Sequence, residues 1–93
     1  MSDGRPTLRL TLYGRAYCHL CGDMARALAP LAEAYRAEVV EIDVDSDPGL
    51  ERRYGERVPV LLGPDGEEIC HYFLDVSALR SALERSAAPR GLG

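Results

Sequence analysis

Residues 14–28 read "GRAYCHLCGDMARAL". Two cysteines, Cys18 and Cys21, stand three apart at the point where an apolar pattern of helical period begins. Cys21, Met24, Ala25, Leu28, Leu31, Ala32 and Tyr35 follow the i, i+3, i+4, i+7 spacing of an amphipathic helix, which predicts a helix over roughly residues 19–36. Pro30 falls inside that pattern. It offers no amide hydrogen to the carbonyl of Arg26 and its ring crowds that carbonyl, at about 3 kcal/mol in a regular helix, so a kink or a break near residue 29 is expected.

Upstream, Thr7 to Tyr13 ("TLRLTLY") alternates Leu8, Leu10 and Leu12 with Arg9, Thr11 and Tyr13, the period of a strand. Downstream, "AEVVEIDV" (37–44) carries β-branched residues at 39, 40, 42 and 44 and reads as a second strand. "DSDPGLERRYG" then supplies Asp47 as N-cap, Pro48 at the first helical position and Gly55 as a stop for a short helix. "VPVLL" (58–62) and "EEICHYF" (67–73) flank the turn "GPDG", where Pro64 presets the first corner and Gly66 is free to take a positive φ, and are expected to form an antiparallel hairpin. Asp75 can cap a last helix whose apolar positions are Val76, Leu79, Ala82 and Leu83.

The order is β-α-β-α-β-β-α: a right-handed parallel βαβ unit followed by a hairpin and a helix. A four-stranded mixed sheet flanked by helices buries these patterns, which makes the class α/β. No internal repeat and no linker divides the chain. A single domain over residues 7–86 is expected, with flexible termini at 1–6 and 87–93.

At 93 residues, 46% hydrophobic and 28% charged, the chain has the composition of a small soluble domain. Its net charge of −4 and scattered arginines lack the basic stripe of a nucleic-acid binder. No apolar stretch reaches membrane-spanning length and "MSDGRPTLRL" has no signal-like run, so the chain reads as cytoplasmic, with neither nucleic acid nor membrane as partner. In a reducing compartment a CxxC pair is catalytic or metal-binding more often than structural.

Cys18 falls at the end of the loop and Cys21 in the first helical turn. Free amides and the dipole of a helix N-terminus favour negative charge, so a thiol there loses its proton more easily. Two cysteines at i and i+3 inside a regular helix have Cβ atoms about 5–6 Å apart, whereas a disulfide needs about 3.5–4.5 Å. Cys18 must therefore sit at the cap, outside helical dihedrals, where it is exposed. Cys18 can then attack a substrate disulfide and Cys21 can resolve the mixed disulfide. His19, between them, can donate a hydrogen bond to the thiolate or add charge, or it can be a solvated residue of the cap turn.

Other uses of these residues stand beside that one. CxxC is also half a zinc site, and Cys70 with His71 would be the remaining ligands; neighbours in a strand point to opposite faces, which argues against a shared metal. Cys70, alone on a strand, fits a packing role. A non-catalytic module whose dithiol senses redox state while an edge docks a partner is a further reading, and a zinc or iron–sulfur site shared between subunits another.

"LTLYGRAYCHLC", "EIDVD" and "GERVPVLL" together resemble glutaredoxins, and more closely the short bacterial glutaredoxin-like proteins of the thioredoxin superfamily, over roughly residues 7–85. The resemblance implies a thioredoxin-like fold in its minimal glutaredoxin form, with the Val58-Pro59 bond cis and next to the cysteine pair. The backbone of Val58 would then pair with an extended substrate as an added strand. It also implies a monomeric thiol–disulfide oxidoreductase with no bound cofactor or metal. Glutathione or a dithiol protein would donate electrons, and a disulfide-containing protein or a glutathione mixed disulfide would be the substrate. Arg15 matches a basic position that contacts the glutathione carboxylate, Tyr17 an apolar wall of the site, and Asp75 an acidic position near the last helix. Two departures stand out: Arg57 replaces the threonine before Val-Pro, and His71 and Tyr72 replace paired glycines that admit glutathione to the backbone. Protein disulfides are the alternative specificity.

Overall fold

The computed structural model describes residues 8–87; Thr7 and the termini expected to be flexible lie outside the described residues, apart from Ala87. The elements are β1 (Leu8–Gly14), α1 (His19–Ala34), β2 (Ala37–Asp43), a 3₁₀ turn (Val44–Ser46), α2 (Pro48–Tyr54), β3 (Val60–Leu62), β4 (Glu68–His71) and α3 (Val76–Ala87). The strands form one mixed sheet in the order β2-β1-β3-β4. β1 and β2 are parallel; β3 runs antiparallel to both β1 and β4. The four-stranded α/β arrangement is the expected one.

The alternation of β1 divides the core in two. Leu10 and Leu12 join Leu61 against Met24 and Leu28 of α1 and Leu79 and Leu83 of α3. On the opposite face Tyr13, Val60 and Leu62 meet Val44, Leu50 and Tyr54. There the rings of Tyr13 and Tyr54 stack at 4.4 Å, fastening α2 to the sheet.

Several boundaries depart from the sequence expectation. α1 does not break at Pro30 but continues to Ala34, where the amide of Tyr35 donates to the carbonyl of Leu31 at 3.1 Å. Leu28 and Ala32 are buried on either side of the proline. Burial of a leucine side chain is worth roughly 1.5–3 kcal/mol, which offsets the lost hydrogen bond. The helix ends two residues early because the chain turns at Arg36, with φ +57°. β2 ends at Asp43, not Val44: the Asp43 carboxylate accepts from the amide of Asp45 at 2.8 Å and starts the 3₁₀ turn, which buries Val44.

Val58 and Pro59 precede β3 instead of opening it, and β4 stops at His71 because Tyr72 adopts φ +65°. The "GPDG" turn closes as expected, with Gly66 at φ +85° and its amide on the carbonyl of Gly63 at 2.9 Å. Asp47 caps α2 through the amide of Gly49 at 2.7 Å. In α3, Leu79, Ala82 and Leu83 are buried, whereas Val76, expected on the same face, is 43% exposed in the first turn.

Candidate active site

β1 delivers the chain to Gly14, and the turn Arg15–Tyr17 reverses it into α1 through Tyr17 at φ +60°. Cys18 is the N-cap, with an extended backbone (φ −101°, ψ 108°). Its carbonyl accepts the first helical bond, from Gly22, at 3.2 Å, and its Sγ accepts from the amide of Cys21 at 3.1 Å. The sulfur thus satisfies one of the donors that a helix start leaves free. Cys18 and Cys21 form a disulfide with Cα atoms 5.2 Å apart, inside the range of about 4.4–6.8 Å that the bond tolerates. Both are half-buried, so the cap position leaves Cys18 less open than expected. A Cβ on Gly14 would lie 3.1 Å from Cys21 Sγ, so glycine at the end of β1 gives the second sulfur its room.

The Val58-Pro59 bond is cis. Tyr13 pairs with Val60, and carrying that register one step further sets Pro59 across from Gly14. The amide of Tyr72 donates to the carbonyl of Pro59 at 2.9 Å, and its hydroxyl donates to the carbonyl of Glu56 at 2.9 Å. Tyr72 therefore spans the segment from Glu56 to Pro59 from outside. Arg57 reaches back to Glu68 at 2.5 Å and to the carbonyl of Arg53 at 3.1 Å, and the other Glu68 oxygen meets His71 Nδ1 at 2.8 Å. The hydrogen bond from Arg57 holds the Glu68 carboxyl below its usual range against partial burial, with His71 adding to the effect.

Arg15 turns to Asp45 at 3.4 Å and Glu51 at 3.3 Å, joining the loop before Cys18 to the 3₁₀ turn and α2. Gly55 gives that guanidinium space: a Cβ there would lie 3.0 Å from Arg15 Nη2 and 2.5 Å from the Glu51 carbonyl. Gly55 ends α2 as expected, as its C-cap in right-handed conformation (φ −55°). His19, 86% exposed, points Nε2 toward Asp23 at 3.5 Å. Tyr17 is fully exposed. Asp75 caps α3, its carboxylate accepting from the amide of Ala78 at 3.0 Å. Cys70 packs against the larger core cluster, and burial, the largest influence, pushes its thiol up. Among the described residues, no group of three or more His, Cys, Asp or Glu is disposed to hold a metal ion.

One feature is absent from the sequence expectations. A cleft of about 830 Å³ opens beside the disulfide, between the start of α1 and the ends of β1 and β2. Leu12, Ala25 and Ile42 contribute its apolar surface, and Glu41 and Asp43 of β2 its acidic side. Neither carboxylate belongs to a motif. The parallel register that pairs Leu12 with Glu41 and Gly14 with Asp43 brings them there. The usable signal was the βαβ pattern, which places the end of the second strand beside the end of the first. Val58, Pro59 and Asp75 do not line this cleft.

The sequence profile of the glutaredoxin-like domain family (DUF836) matches residues 9–84. A Mycobacterium tuberculosis protein described as uncharacterized is 35% identical over 83 residues, covering 84% of each chain. The solution structure of protein Ne2328 from Nitrosomonas europaea superposes with a TM-score of 0.75 at 36% identity, covering 87% of this chain and 96% of that one. A single-site mutant of a thioredoxin from Halobacterium salinarum is similar at a TM-score of 0.63 and 30% identity, over 88% of this chain and 76% of its own. Among the described residues, no helix is long and apolar enough to cross a membrane.

Proposed function

The chain belongs to the glutaredoxin-like domain family of the thioredoxin superfamily, and we propose that it is a thiol–disulfide oxidoreductase in which Cys18 attacks and Cys21 resolves. The observation that carries this reading is the division of the pair across the helix start. Cys18 caps α1 in extended conformation while Cys21 sits in the first turn with its Cα 5.2 Å away. The described state is the oxidised one.

In the reduced protein, the Cys18 thiolate attacks one sulfur of a substrate disulfide. A Cys18–substrate disulfide forms, the substrate S–S bond breaks, and the first substrate thiolate leaves and takes up a proton. The amide of Cys21 that meets Cys18 Sγ in the disulfide form is placed to meet the thiolate, and a hydrogen bond to a charged acceptor is stronger than one to a neutral atom. Cys21, deprotonated, then attacks Cys18 Sγ, which restores the intramolecular disulfide and releases the second substrate thiolate. Two electrons pass from the protein to the substrate. Two equivalents of a monothiol such as glutathione, or one dithiol protein, return them. An extended substrate segment would lie along the backbone of Val58, next to the cis Pro59.

Reduction of a small aromatic disulfide by the wild-type protein and by Cys18→Ser tests the reading. Turnover lost in the variant supports it; full turnover there removes the mechanism. Cys21→Ser is expected to accumulate a mixed disulfide that nonreducing electrophoresis and intact mass both detect. If no disulfide is turned over and partner capture depends only on the dithiol state, the chain is a redox-sensing binding module instead.

A further inference from the structure

We propose that the cleft on the β2 side of the disulfide selects its substrate by charge, taking a cationic segment of a disulfide-bearing protein in preference to an anionic thiol compound. The proposal rests on the redox reading above and names the substrate class of that same site. Its first ground is that the arginines lining the cleft already face carboxylates, although the Nε of Arg15 keeps no hydrogen-bond partner among the described residues. Arg15 lies within 3.4 Å of both Asp45 and Glu51. Arg26 holds Asp23 at 2.6 Å.

The second ground is what those pairs leave over. Glu41 is exposed on β2 and forms no ion pair among the described residues. Asp43 gives one carboxylate oxygen to the amide of Asp45, a bond that leaves its charge in place. An incoming segment therefore meets apolar surface from Leu12, Ala25 and Ile42 next to the sulfurs, with uncompensated carboxylate on one side. The apolar part suits the aliphatic stem of a lysine or arginine, and the carboxylates suit its head. A whole-chain charge of −4 adds long-range attraction of the same sign. Glutathione carries a net negative charge, so the same field opposes it.

The test uses the reduced full-length protein in single turnover, so that no electron donor enters. Two fluorescent peptide disulfides, identical except for lysine or glutamate on both sides of the cysteine, are compared with glutathione disulfide. At low salt the lysine peptide is expected to react roughly threefold to tenfold faster than the glutamate peptide, as exposed charge pairs allow. The gap should close toward ~0.5 M salt, where the screening length falls to a few ångström. Glu41→Gln should narrow the preference and Glu41→Lys should narrow it further or reverse it, with glutathione disulfide gaining. Equal rates for the two peptides in the wild-type protein, or a preference that Glu41→Lys leaves unchanged, would overturn charge selection while the redox reading stands. If neither peptide nor glutathione disulfide reacts, the redox reading fails and charge selection fails with it.

Discussion

The Sγ of Cys18 accepts a hydrogen bond from the backbone amide of Cys21 at 3.1 Å, so a cysteine performs the capping role that serine, threonine or aspartate usually fills. Cap and proposed nucleophile are then the same atom. A negative sulfur is a better acceptor than a neutral one, and it faces the positive end of the α1 dipole.

The reduced protein should consequently show one fast thiol. With limiting iodoacetamide at neutral pH, Cys18 is expected to be alkylated at least roughly tenfold faster than Cys70, because thiolate character and access govern the rate. Cys18 and Cys70 are both half-buried, so the contrast lies in thiolate character: burial pushes the Cys70 thiol up, whereas Cys18 caps the start of α1. Peptide mass analysis of a time course measures the ratio; comparable rates at the two positions would contradict the cap assignment.

Gly14→Ala probes the second sulfur. The new Cβ would stand 3.1 Å from Cys21 Sγ and 3.3 Å from its Cβ. Overpacking of this kind costs roughly 1–3 kcal/mol, and it falls on the resolving thiol. The expected result is a longer-lived mixed disulfide, with resolution slowed more than attack. Stopped-flow traces that resolve the two phases would show it, and equal slowing of both would place the damage in the fold instead.

Much of this arrangement is visible in the amino-acid order because the two periodicities are. Leu8, Leu10 and Leu12 alternate with Tyr13 on the other face, and Met24, Leu28 and Ala32 mark the buried stripe of α1. Cys18 as cap and Cys21 within the turn follow from the reach of a disulfide. What local pattern does not carry is whatever depends on partners distant in sequence. Val44 looks like more strand until its burial against Tyr54 of α2 and Val60 of β3 is seen. Pro30 looks like a helix stop until the burial on both sides of it is counted. The carboxylates of Asp45 and Glu51 around Arg15, and Glu41 beside the cysteines, arise only when β2 and α2 are folded onto β1.

Acid should release the brace behind Arg57. The Arg57 hydrogen bond depresses the Glu68 carboxyl in the folded protein, so its contribution is complete above the unfolded value near 4.5 and is lost as pH falls through the lower folded value. Glu68→Gln is expected to lower stability at pH 7 by about 1 kcal/mol or less, since the pair is about a third exposed. Urea midpoints at neutral pH and near pH 2.5 would show the difference between variant and wild type shrinking at the acid end. A difference independent of pH would mean that Glu68 acts through packing alone.

Tyr72 spans the Glu56 to Pro59 segment, and its two bonds can be separated. Its amide reaches Pro59 and its hydroxyl reaches Glu56, on either side of Val58. Tyr72→Phe removes only the hydroxyl bond, which at a surface is worth about 1 kcal/mol or less. Tyr72→Gly removes the ring as well, yet relieves a left-handed φ that costs a non-glycine residue roughly 1–2 kcal/mol. Global stability is therefore expected to change little in either variant. Local order should change more: amide exchange at Arg57 and Val58 should quicken in both, and the KM for a peptide disulfide should rise several-fold with kcat nearly constant. If the Val58 backbone is where substrate pairs, KM carries the effect because a loosened edge must be reordered on binding. Exchange that quickens without any change in KM would leave Tyr72 as a fastening for the loop and move substrate pairing away from Val58.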